Sequence, residues 1–452
     1  MTSGNNPPRG ASSGGSRRNA LGSFVGAIVD WYDFLLYGIT AALVFNSQFF
    51  PAISPAAGTL ASFATFGVGF LFRPLGGVVF GHFGDRLGRK RMLVITVALM
   101  GLSTALIGLL PTYDSIGWYA PLALVILRAI QGFAVGGEWG GAALMACESA
   151  PAGRKAFYSS GVQVGYGVGL VMATGIVSLL NRFLDNHAFL SWGWRLPFLF
   201  SILIVGVALW IRTTMDESPE FLKSVDRKRD RSEGLPVLTA MRRHPEGFLL
   251  IIALRMVEMF TMYIVTAFAL SYSTANLGLS RDLFLNIALL VGALSCLTIP
   301  SFAALADRFG QKPVYLTGAL IGVAAALPFF LALEARSVVW IVLFSVLLAN
   351  IAHDMAVAVQ QPLFTAFFGT EYRYSGAGVG YQVASVVCGG FTPFIATALL
   401  GIDGSWHWVA AYLAGGCLIS AVVASRMTMG HRDRPEPAAG EGRPVAMAQT
   451  AP

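Results

Sequence analysis

Three pairs of polar residues that could do chemistry stand inside long apolar runs, and the members of each pair are three positions apart. The pairs are Asp30 with Asp33, Arg128 with Gln131, and Arg255 with Glu258. This spacing places both members of a pair on one face of an α-helix. His353 and Asp354 stand in the middle of a further apolar run. An ionised side chain near the centre of a bilayer costs about 2.5 to 3.5 kcal/mol on insertion scales, so each is a candidate functional residue.

The balance of charge within the apolar runs indicates that protons accompany an anionic substrate. The acids are Asp30, Asp33, Glu138, Glu258 and Asp354, and the cations are Arg73, Arg128 and Arg255, which leaves two more acids than cations. If every acid were ionised an anion would be repelled, so some carboxyl groups must be protonated when it binds. We predict that Asp33, with Asp30 as its coupled neighbour, carries the proton. Glu258, His353 and Asp354 are the other candidates for proton coupling. The alternative is an acid permanently paired with one of the arginines.

The same runs contain groups that could bind a carboxylated, hydroxylated ring. The planar fork of a guanidinium group holds a carboxylate best, so Arg128 or Arg255 should bind it. The candidate neutral donors and acceptors are Gln131, Gln163, Tyr166, Tyr263, Asn350, Gln360, Tyr381 and Gln382. Each of these could instead form a hydrogen bond between helices. Arg73 precedes Pro74 nearer the predicted cytoplasmic side, which favours a role at the inner gate.

Membrane-spanning helices must position these side chains, because long apolar runs dominate the chain. Hydrophobic residues make up 55% of the 452 residues and charged residues 12%, against roughly 25% charged residues in a soluble domain. A span is a helix of about 20 apolar residues or a strand of a closed barrel, and these runs are too long for strands. The sequence therefore predicts an all-α membrane protein with twelve transmembrane helices. They are expected near residues 20–47, 57–80, 92–111, 118–147, 157–181, 193–212, 247–273, 284–306, 314–333, 338–367, 376–401 and 406–426.

The distribution of Lys and Arg residues predicts the orientation of the helices. Most of them fall in the loops on one side, whereas the loops on the other side contain Arg182, Arg281 and Arg336. The positive-inside rule then places both termini in the cytoplasm and predicts a multi-pass protein of the inner membrane. The first residues lack the apolar core of a cleaved signal peptide, so we expect a tail there.

A basic stretch in the middle of the chain and an internal repeat predict two pseudo-symmetric six-helix bundles. The expected organisation is a disordered cytoplasmic tail (1–18), an N-terminal bundle (19–212), a cytoplasmic linker (213–246), a C-terminal bundle (247–428) and a second disordered cytoplasmic tail (429–452). The repeat is clearest in two loops, which read GHFGDRLGRK at 81–90 and AALADRFGQK at 303–312. Parallel repeats are an architecture of carriers, whose substrate site lies between the halves.

Charged residues of the predicted cytoplasmic loops could hold that side of the protein closed. The glycines of the 81–90 loop allow a tight turn, and its Asp and Arg residues can pair with neighbouring helix ends. The predicted gate residues are Asp85, Arg86, Arg89, Glu148, Arg154, Asp307, Arg308, Glu371 and Arg373. We predict a latch that breaks when the cytoplasmic side opens. The alternative is a set of charged turns that only fix the topology.

The repeated loop resembles the signature of the major facilitator superfamily. Four further segments resemble its metabolite:proton symporters, and they read DWYDF at 30–34, FRPLGG at 72–77, RAIQG at 128–132 and GGEW at 136–139. The runs 27–45, 262–270, 349–355 and 373–387 resemble the branch of these symporters that carries shikimate. The resemblance covers about residues 19–426. It implies proton-coupled import of shikimate, and of dehydroshikimate, by alternating access.

Several other functions remain as alternatives or conflict with the sequence. No residue specifies the ring, so another small organic acid such as quinate or a dicarboxylate is the alternative substrate, and a second cationic clamp would favour the dicarboxylate. A membrane receptor would need a sizeable soluble domain, and an enzyme would need a nucleophile with an oriented base. The chain contains no GxxxxGK[ST] loop, and its four cysteines lack metal-ligand spacing.

We therefore predict a carrier, not an enzyme, that binds protons and a small carboxylated metabolite in the lipid bilayer. It should need no cofactor, metal or nucleic acid and work as a monomer.

Overall fold

The structure is a computed structural model that describes residues 13–87, 89–138, 153–213, 245–368 and 373–427. Twelve helices within these ranges are long and apolar enough to cross a membrane. They are α1 Phe24–Phe49, α2 Pro55–Phe80, α3 Lys90–Leu109, α4 Tyr119–Gly136, α5 Lys155–Phe183, α6 Arg195–Thr213, α7 Pro245–Ala275, α8 Arg281–Phe309, α9 Gln311–Glu334, α10 Val338–Ala366, α11 Gly376–Asp403 and α12 His407–Arg426. The prediction of an all-α membrane protein with twelve transmembrane helices is confirmed. Each predicted helix overlaps its observed counterpart.

Several helices continue beyond their apolar spans. The helix that contains α1 begins at Ser13, so residues 13–18 of the expected disordered tail are helical. The helix that contains α2 continues to Leu87, and α11 is preceded by helix from Arg373. Extending an existing helix costs far less than nucleating one, so polar residues beside an apolar run can join it. Residues 1–12, most of the predicted linker (214–244) and the predicted C-terminal tail lie outside the described residues.

Local departures from regular helix occur in the helices that carry the candidate residues. α2 is interrupted at Phe72, between the helices Pro55–Leu71 and Arg73–Leu87, where Pro74 cannot donate a backbone hydrogen bond. Turns of π-helix occur in α1 (Ala41–Phe45), α7 (Ile264–Phe268), α10 (Leu347–Ala352) and α11 (Ser385–Gly390). Such turns are frequent at functional sites. The sequence pattern did not predict them.

The helices pack as two halves that meet along defined seams. In the first half α1 packs against α5 and α6, and α4 packs against α2 and α3; in the second half α7 packs against α10, α11 and α12. The halves meet where α5 packs along α8 and α10, and where α2 packs against α11. Exposed leucines such as Leu102, Leu203, Leu327 and Leu418 lie on α3, α6, α9 and α12. Apolar side chains at these positions are suited to contact lipid.

Glycines allow the backbones of two helix pairs to approach each other closely. A Cβ atom on Gly132 of α4 would lie 1.7 Å from the carbonyl oxygen of Gly69 in α2. A Cβ atom on Gly167 of α5 would lie 2.7 Å from the carbonyl oxygen of Gly292 in α8. Small residues let helix backbones approach in this way inside membranes. The first contact lies within the N-terminal half, and the second joins the two halves.

Candidate substrate and proton site

Arg128 lies at one end of a buried hydrogen-bonded chain in the N-terminal half. Its Nη1 donates to Oε1 of Gln131 at 2.5 Å, and Nε2 of Gln131 donates to the hydroxyl oxygen of Thr104 at 2.7 Å. The Thr104 hydroxyl donates to Oδ2 of Asp33 at 2.6 Å. Within the described chain, Nε and Nη2 of Arg128 and Oδ1 of Asp33 have no hydrogen-bond partner. α1, α3 and α4 therefore bring an acid and a guanidinium into one network, and each keeps unpartnered polar atoms.

Aromatic rings and a glycine hold the Arg128 guanidinium in place. Its Cζ lies 4.1 Å from the ring centroids of both Phe34 and Tyr37, and 5.1 Å from that of Phe66. Contacts of this kind stabilise a desolvated cation by about 2 kcal/mol. A Cβ atom on Gly69 would lie 2.5 Å from Arg128 Nε, so the glycine provides the space that the side chain occupies. The guanidinium is thus fixed without using all of its donors.

Arg255 in the C-terminal half has partners for all of its nitrogens. Its Nε and Nη2 donate to the two carboxylate oxygens of Glu258, at 3.0 and 3.1 Å. Its Nη1 donates to the Tyr381 carbonyl oxygen at 2.9 Å and to the Ser385 hydroxyl at 2.5 Å. Gln360 adds a hydrogen bond to Glu258 at 2.6 Å. The fork of Arg255 is therefore occupied by a carboxylate from its own helix.

Asp354 and His353 form a third polar cluster at the contact between the halves. The Asp354 carboxylate accepts hydrogen bonds from Ser295, at 2.9 Å, and from Thr298. Nδ1 of His353 lies 2.7 Å from Asp354 Oδ1, and its Nε2 has no partner among the described residues. The ring of Tyr166, from α5 of the other half, has its centroid 4.8 Å from that of His353. A histidine between an acid and the other half could relay a proton.

Asp30 and Asp33, the predicted coupled neighbours, have different hydrogen-bond partners. Asp30 interacts with the carboxyl group of Glu138, which forms a salt bridge with Arg212 at 2.8 Å and accepts a hydrogen bond from Thr96 at 2.8 Å. Asp33 belongs instead to the network of Arg128. Residues three apart on a helix differ by about 60° in direction, enough to face different neighbours. Their hydrogen-bond partners therefore differ, although the carboxyl group of Glu138 acts electrostatically on both.

Arg212 was missed as a buried cation because it stands at the end of α6, beside the basic stretch. Helix-terminal arginines usually extend toward the headgroups. This one is buried and also donates to the Leu93 carbonyl oxygen at 2.7 Å. A Cβ atom on Gly26 would lie 2.0 Å from its Nη2, so α1 makes room for it. With Arg212 counted, the acids of the charge balance outnumber the arginines by one and not by two.

The predicted neutral groups are all buried, and several of them contact residues of other helices. The rings of Phe66 and Tyr263 lie 5.3 Å apart, which places Tyr263 of α7 against α2. Gln382 of α11 donates to the Gly136 carbonyl oxygen of α4 at 3.4 Å, and Asn350 donates to the Val291 carbonyl oxygen at 2.9 Å. The polar atoms without partners in the described structure include the hydroxyls of Tyr166 and Tyr263 and the Oε1 atoms of Gln360 and Gln382. Gln163 is buried in α5 without a distinguishing contact.

Comparison with known proteins identifies the family. The family model of the Major Facilitator Superfamily matches residues 20–379 and 256–451. The chain belongs to this superfamily. The Shikimate transporter of Escherichia coli (strain K12) is 69% identical over 413 residues, which cover 91% of this chain and 94% of the relative. The Inner membrane metabolite transport protein YhjE of the same strain is 37% identical over 90% of this chain and 94% of the relative.

The superfamily fold is also found among solved structures. The xylose transporter XylE from E. coli, in a partially occluded inward open conformation, matches with a TM-score of 0.70 at 20% sequence identity. The match covers 91% of this chain and 97% of that one. At this identity the likeness concerns the fold. The chain is therefore a multi-pass membrane protein with the major facilitator architecture.

One predicted gate residue of this superfamily member joins the two halves. Asp307, at the end of α8, accepts hydrogen bonds from the backbone N–H groups of Ala156 at 3.1 Å and Phe157 at 2.9 Å, in the first turn of α5. A carboxylate at a helix N-terminus is also favoured by the helix dipole. Arg154 and Arg308 are exposed nearby. Glu148 and Glu371, and the side chains of Asp85, Arg86, Arg89 and Arg373, lie outside the described parts of the structure.

The opposite end of the α5–α8 seam has a latch that the sequence analysis missed. Asn181, near the end of α5, donates to Asp282 at 2.5 Å and accepts from Arg281 at 2.9 Å. Arg281 also donates to Asn186 at 3.3 Å. The sequence around Arg281 predicts only the topology of the helices, because nothing in it indicates a partner 100 residues away. The halves are thus joined at both ends of the seam.

Proposed function

We propose that this protein imports shikimate together with protons across the inner membrane by alternating access. The likeness to the Shikimate transporter supports the substrate, since 69% of the aligned residues are identical. The main structural support is the network that joins Asp33 to Arg128, in which a buried acid and a buried guanidinium both keep unpartnered atoms. An acid that can hold a proton beside a cation that can hold an anion is the minimum that symport requires.

The charges of the buried groups support coupling of one proton to one monocarboxylate. Five acids and four arginines make up the described polar clusters, so their formal sum is one negative charge. Adding one anion and one proton leaves this sum unchanged, whereas an anion alone would increase the negative charge in a site of low dielectric constant. Asp33 is the proton carrier in this proposal, because Glu258 forms a salt bridge with Arg255 that favours its ionised form. His353 with Asp354 is a second candidate relay, and Asp30 with Glu138 is a third.

Arg128 is the proposed partner of the substrate carboxylate. Arg255, the other predicted clamp, has a bidentate bond to Glu258 that an incoming carboxylate would have to break. Arg128 offers Nε and Nη2 without such competition. The hydroxyl groups of the substrate ring would then bind neutral groups with unpartnered atoms, among them Tyr166 and Tyr263.

The seam between α5 and α8 supplies the gates of the proposed cycle. Both termini are placed in the cytoplasm by the positive-inside rule, so the Asp307 contact closes the cytoplasmic end and the Asn181 contact closes the outer end. The candidate substrate groups are almost fully buried in this conformation. Opening either end breaks the latch at that end and separates the packed helices of the two halves there. Both halves belong to one chain, so we propose that a monomer carries out transport.

Uptake of labelled shikimate by proteoliposomes tests the proposal. Purified protein should accumulate shikimate when the pH is lower outside than inside, and a protonophore should abolish accumulation. Unlabelled shikimate should compete fully, with quinate and succinate as comparison acids. Equal uptake with and without the pH gradient would refute proton coupling, and failure of shikimate to compete would refute the substrate.

A dicarboxylate is the second candidate substrate, and one observation favours it. Arg73 is a further buried guanidinium near Arg128, and two cations could hold two carboxylates. Stronger competition by succinate than by shikimate would select this candidate.

A further inference from the structure

Four buried arginines in the described membrane spans fall into two classes. Arg212 forms a salt bridge with Glu138 at 2.8 Å, and Arg255 forms one with Glu258 at 3.0 Å. Arg73 and Arg128 form no salt bridge within the ranges that the structure describes, and the Nε atoms of both have no hydrogen-bond partner there. A buried cation without a paired anion is unfavourable. Two of the four arginines are thus suited to receive an anion from outside the chain.

The two unpaired guanidinium groups share one aromatic ring. The Cζ of Arg73 lies 3.8 Å from the ring centroid of Phe34, and the Cζ of Arg128 lies 4.1 Å from it. The two Cζ atoms are therefore no farther apart than the sum of these distances, about 8 Å. A carboxylate beside the Phe34 ring, and not on the line through it, could accept hydrogen bonds of about 2.8 Å from N–H groups of both guanidiniums that extend past the ring edge. The ring contacts leave in-plane N–H groups available for this purpose.

Helix packing fixes the positions of both arginines. A Cβ atom on Gly136 of α4 would lie 2.0 Å from the Arg73 carbonyl oxygen, and one on Gly69 of α2 would lie 2.5 Å from Arg128 Nε. The Arg73 guanidinium also lies against Phe70, with its Cζ 4.0 Å from that ring centroid. The interruption of α2 at Phe72 places Arg73 at the start of the next helical segment. These contacts hold the two like charges near each other, and an anion bound beside both would reduce their repulsion.

The same aromatic cluster reaches the C-terminal half. The Tyr263 ring lies 5.3 Å from that of Phe66 and 6.0 Å from that of Phe70. A Cβ atom on Gly390 of α11 would lie 2.5 Å from the Phe70 Cβ. The Tyr263 hydroxyl has no partner in the described structure. An anion bound by the two arginines would therefore lie beside the seam that opens and closes during transport.

We propose that Arg73 is a second substrate-binding residue, which shares the single carboxylate of the substrate with Arg128. This inference rests on the proposed function, because it requires a carboxylated substrate. It replaces the gate role that the sequence favoured for Arg73. It also explains why a substrate with one carboxylate would need two arginines, since both guanidinium groups bind that carboxylate.

Titration of the purified full-length protein with shikimate and with shikimate methyl ester tests the role of Arg73. The ester keeps the ring hydroxyls but has no carboxylate charge. Arg73→Gln should weaken shikimate binding by about tenfold or more, the loss typical of one charge-assisted pair, and should change ester binding less than about twofold. Arg73→Lys, which keeps the charge but not the fork, should lie between Arg73→Gln and wild type. Arg426→Gln, at an exposed arginine at the end of α12, is the matched control and should bind both ligands as wild type does.

The two ligands separate the possible results. Unchanged shikimate affinity in Arg73→Gln would overturn the inference, and so would an equal loss for shikimate and its ester, because that pattern indicates a structural role. If Arg73→Gln does not fold, Arg73→Lys provides the same comparison. If wild type binds quinate or succinate in place of shikimate, the proposed function fails, and the bound acid with its methyl ester then tests Arg73 in the same way.

Discussion

Arg128 and Arg255 are buried arginines of the two halves, and their surroundings differ in one decisive respect. Each of the three nitrogens of Arg255 has a protein acceptor, and two of them bind Glu258. Arg128 has one acceptor, Gln131, and two nitrogens without a partner in the described structure. A guanidinium with satisfied donors stabilises its own half, whereas one with available donors is prepared for an anion. We therefore propose that Arg128, and not Arg255, binds the substrate anion.

The largest effect on transport is expected from Arg128→Lys. Lysine keeps the charge but cannot offer a bidentate fork, and its single ammonium group would have to serve both Gln131 and the substrate. We expect kcat/KM for shikimate uptake to fall about a hundredfold, which corresponds to about 2.7 kcal/mol. Initial rates in proteoliposomes, corrected for the amount of inserted protein, measure it. Arg255→Lys is the matched variant, and a larger fall for Arg255→Lys than for Arg128→Lys would reverse the comparison.

Asp33→Asn should remove proton-driven accumulation but leave exchange of shikimate across the membrane. Asn cannot release a proton, yet it can still accept the hydrogen bond from Thr104. We therefore expect counterflow rates within about fivefold of wild type and no concentration of shikimate above equilibrium. Asp30→Asn is the matched variant in the other network of α1. Full accumulation by Asp33→Asn would exclude Asp33 as the carrier, and its loss in Asp30→Asn alone would assign the proton to the Glu138 cluster.

Glu258→Gln should damage stability more than substrate binding. It leaves Arg255 buried without its carboxylate, which typically costs about 3 to 5 kcal/mol of the free energy of unfolding. Shikimate affinity of the folded fraction should change less than about fivefold. Thermal unfolding and titration on the same sample measure both. An affinity loss as large as that of Arg128→Lys, with unchanged thermal stability, would place the carboxylate in the C-terminal half.

The sequence was sufficient to predict the helices but not the partners of their polar residues. Lipid requires about 20 apolar residues per span, so each span can be recognised as a long apolar run. An ionisable residue within such a run is easily identified. The spacing of Arg255 and Glu258 gave a correct contact because both groups are long and face each other on one helix. The same spacing did not predict the hydrogen-bond partners of Asp30 and Asp33, because their short side chains contact different parts of the N-terminal half.

Tertiary packing decided the cases that the sequence could not. Arg212 turns inward because Gly26 of another helix makes room for it. Arg73 contacts Phe34 because α2 is interrupted at Phe72 and packs closely against α4. The local sequence does not distinguish these two residues from an arginine that closes a gate or one that extends toward the lipid headgroups. The distinction between a paired and an unpaired guanidinium exists only once helices from distant parts of the chain have packed.

The smallest effect is expected at the latches, where the two ends of the α5–α8 seam can be compared. Asp307→Asn keeps one acceptor oxygen for the first turn of α5 but loses the charge that the helix dipole favours, about 0.3 to 1 kcal/mol. The population open at the Asp307 end should therefore rise only a few-fold. Spin labels at the exposed Tyr158 and Phe309 report the opening as a longer distance.

Asn181→Ala removes the contacts with Arg281 and Asp282 at the other end and should shift the same distance distribution toward the closed form. If both variants moved the distribution in one direction, the two contacts would not be opposing latches, and the substrate site would have to be exposed by another motion.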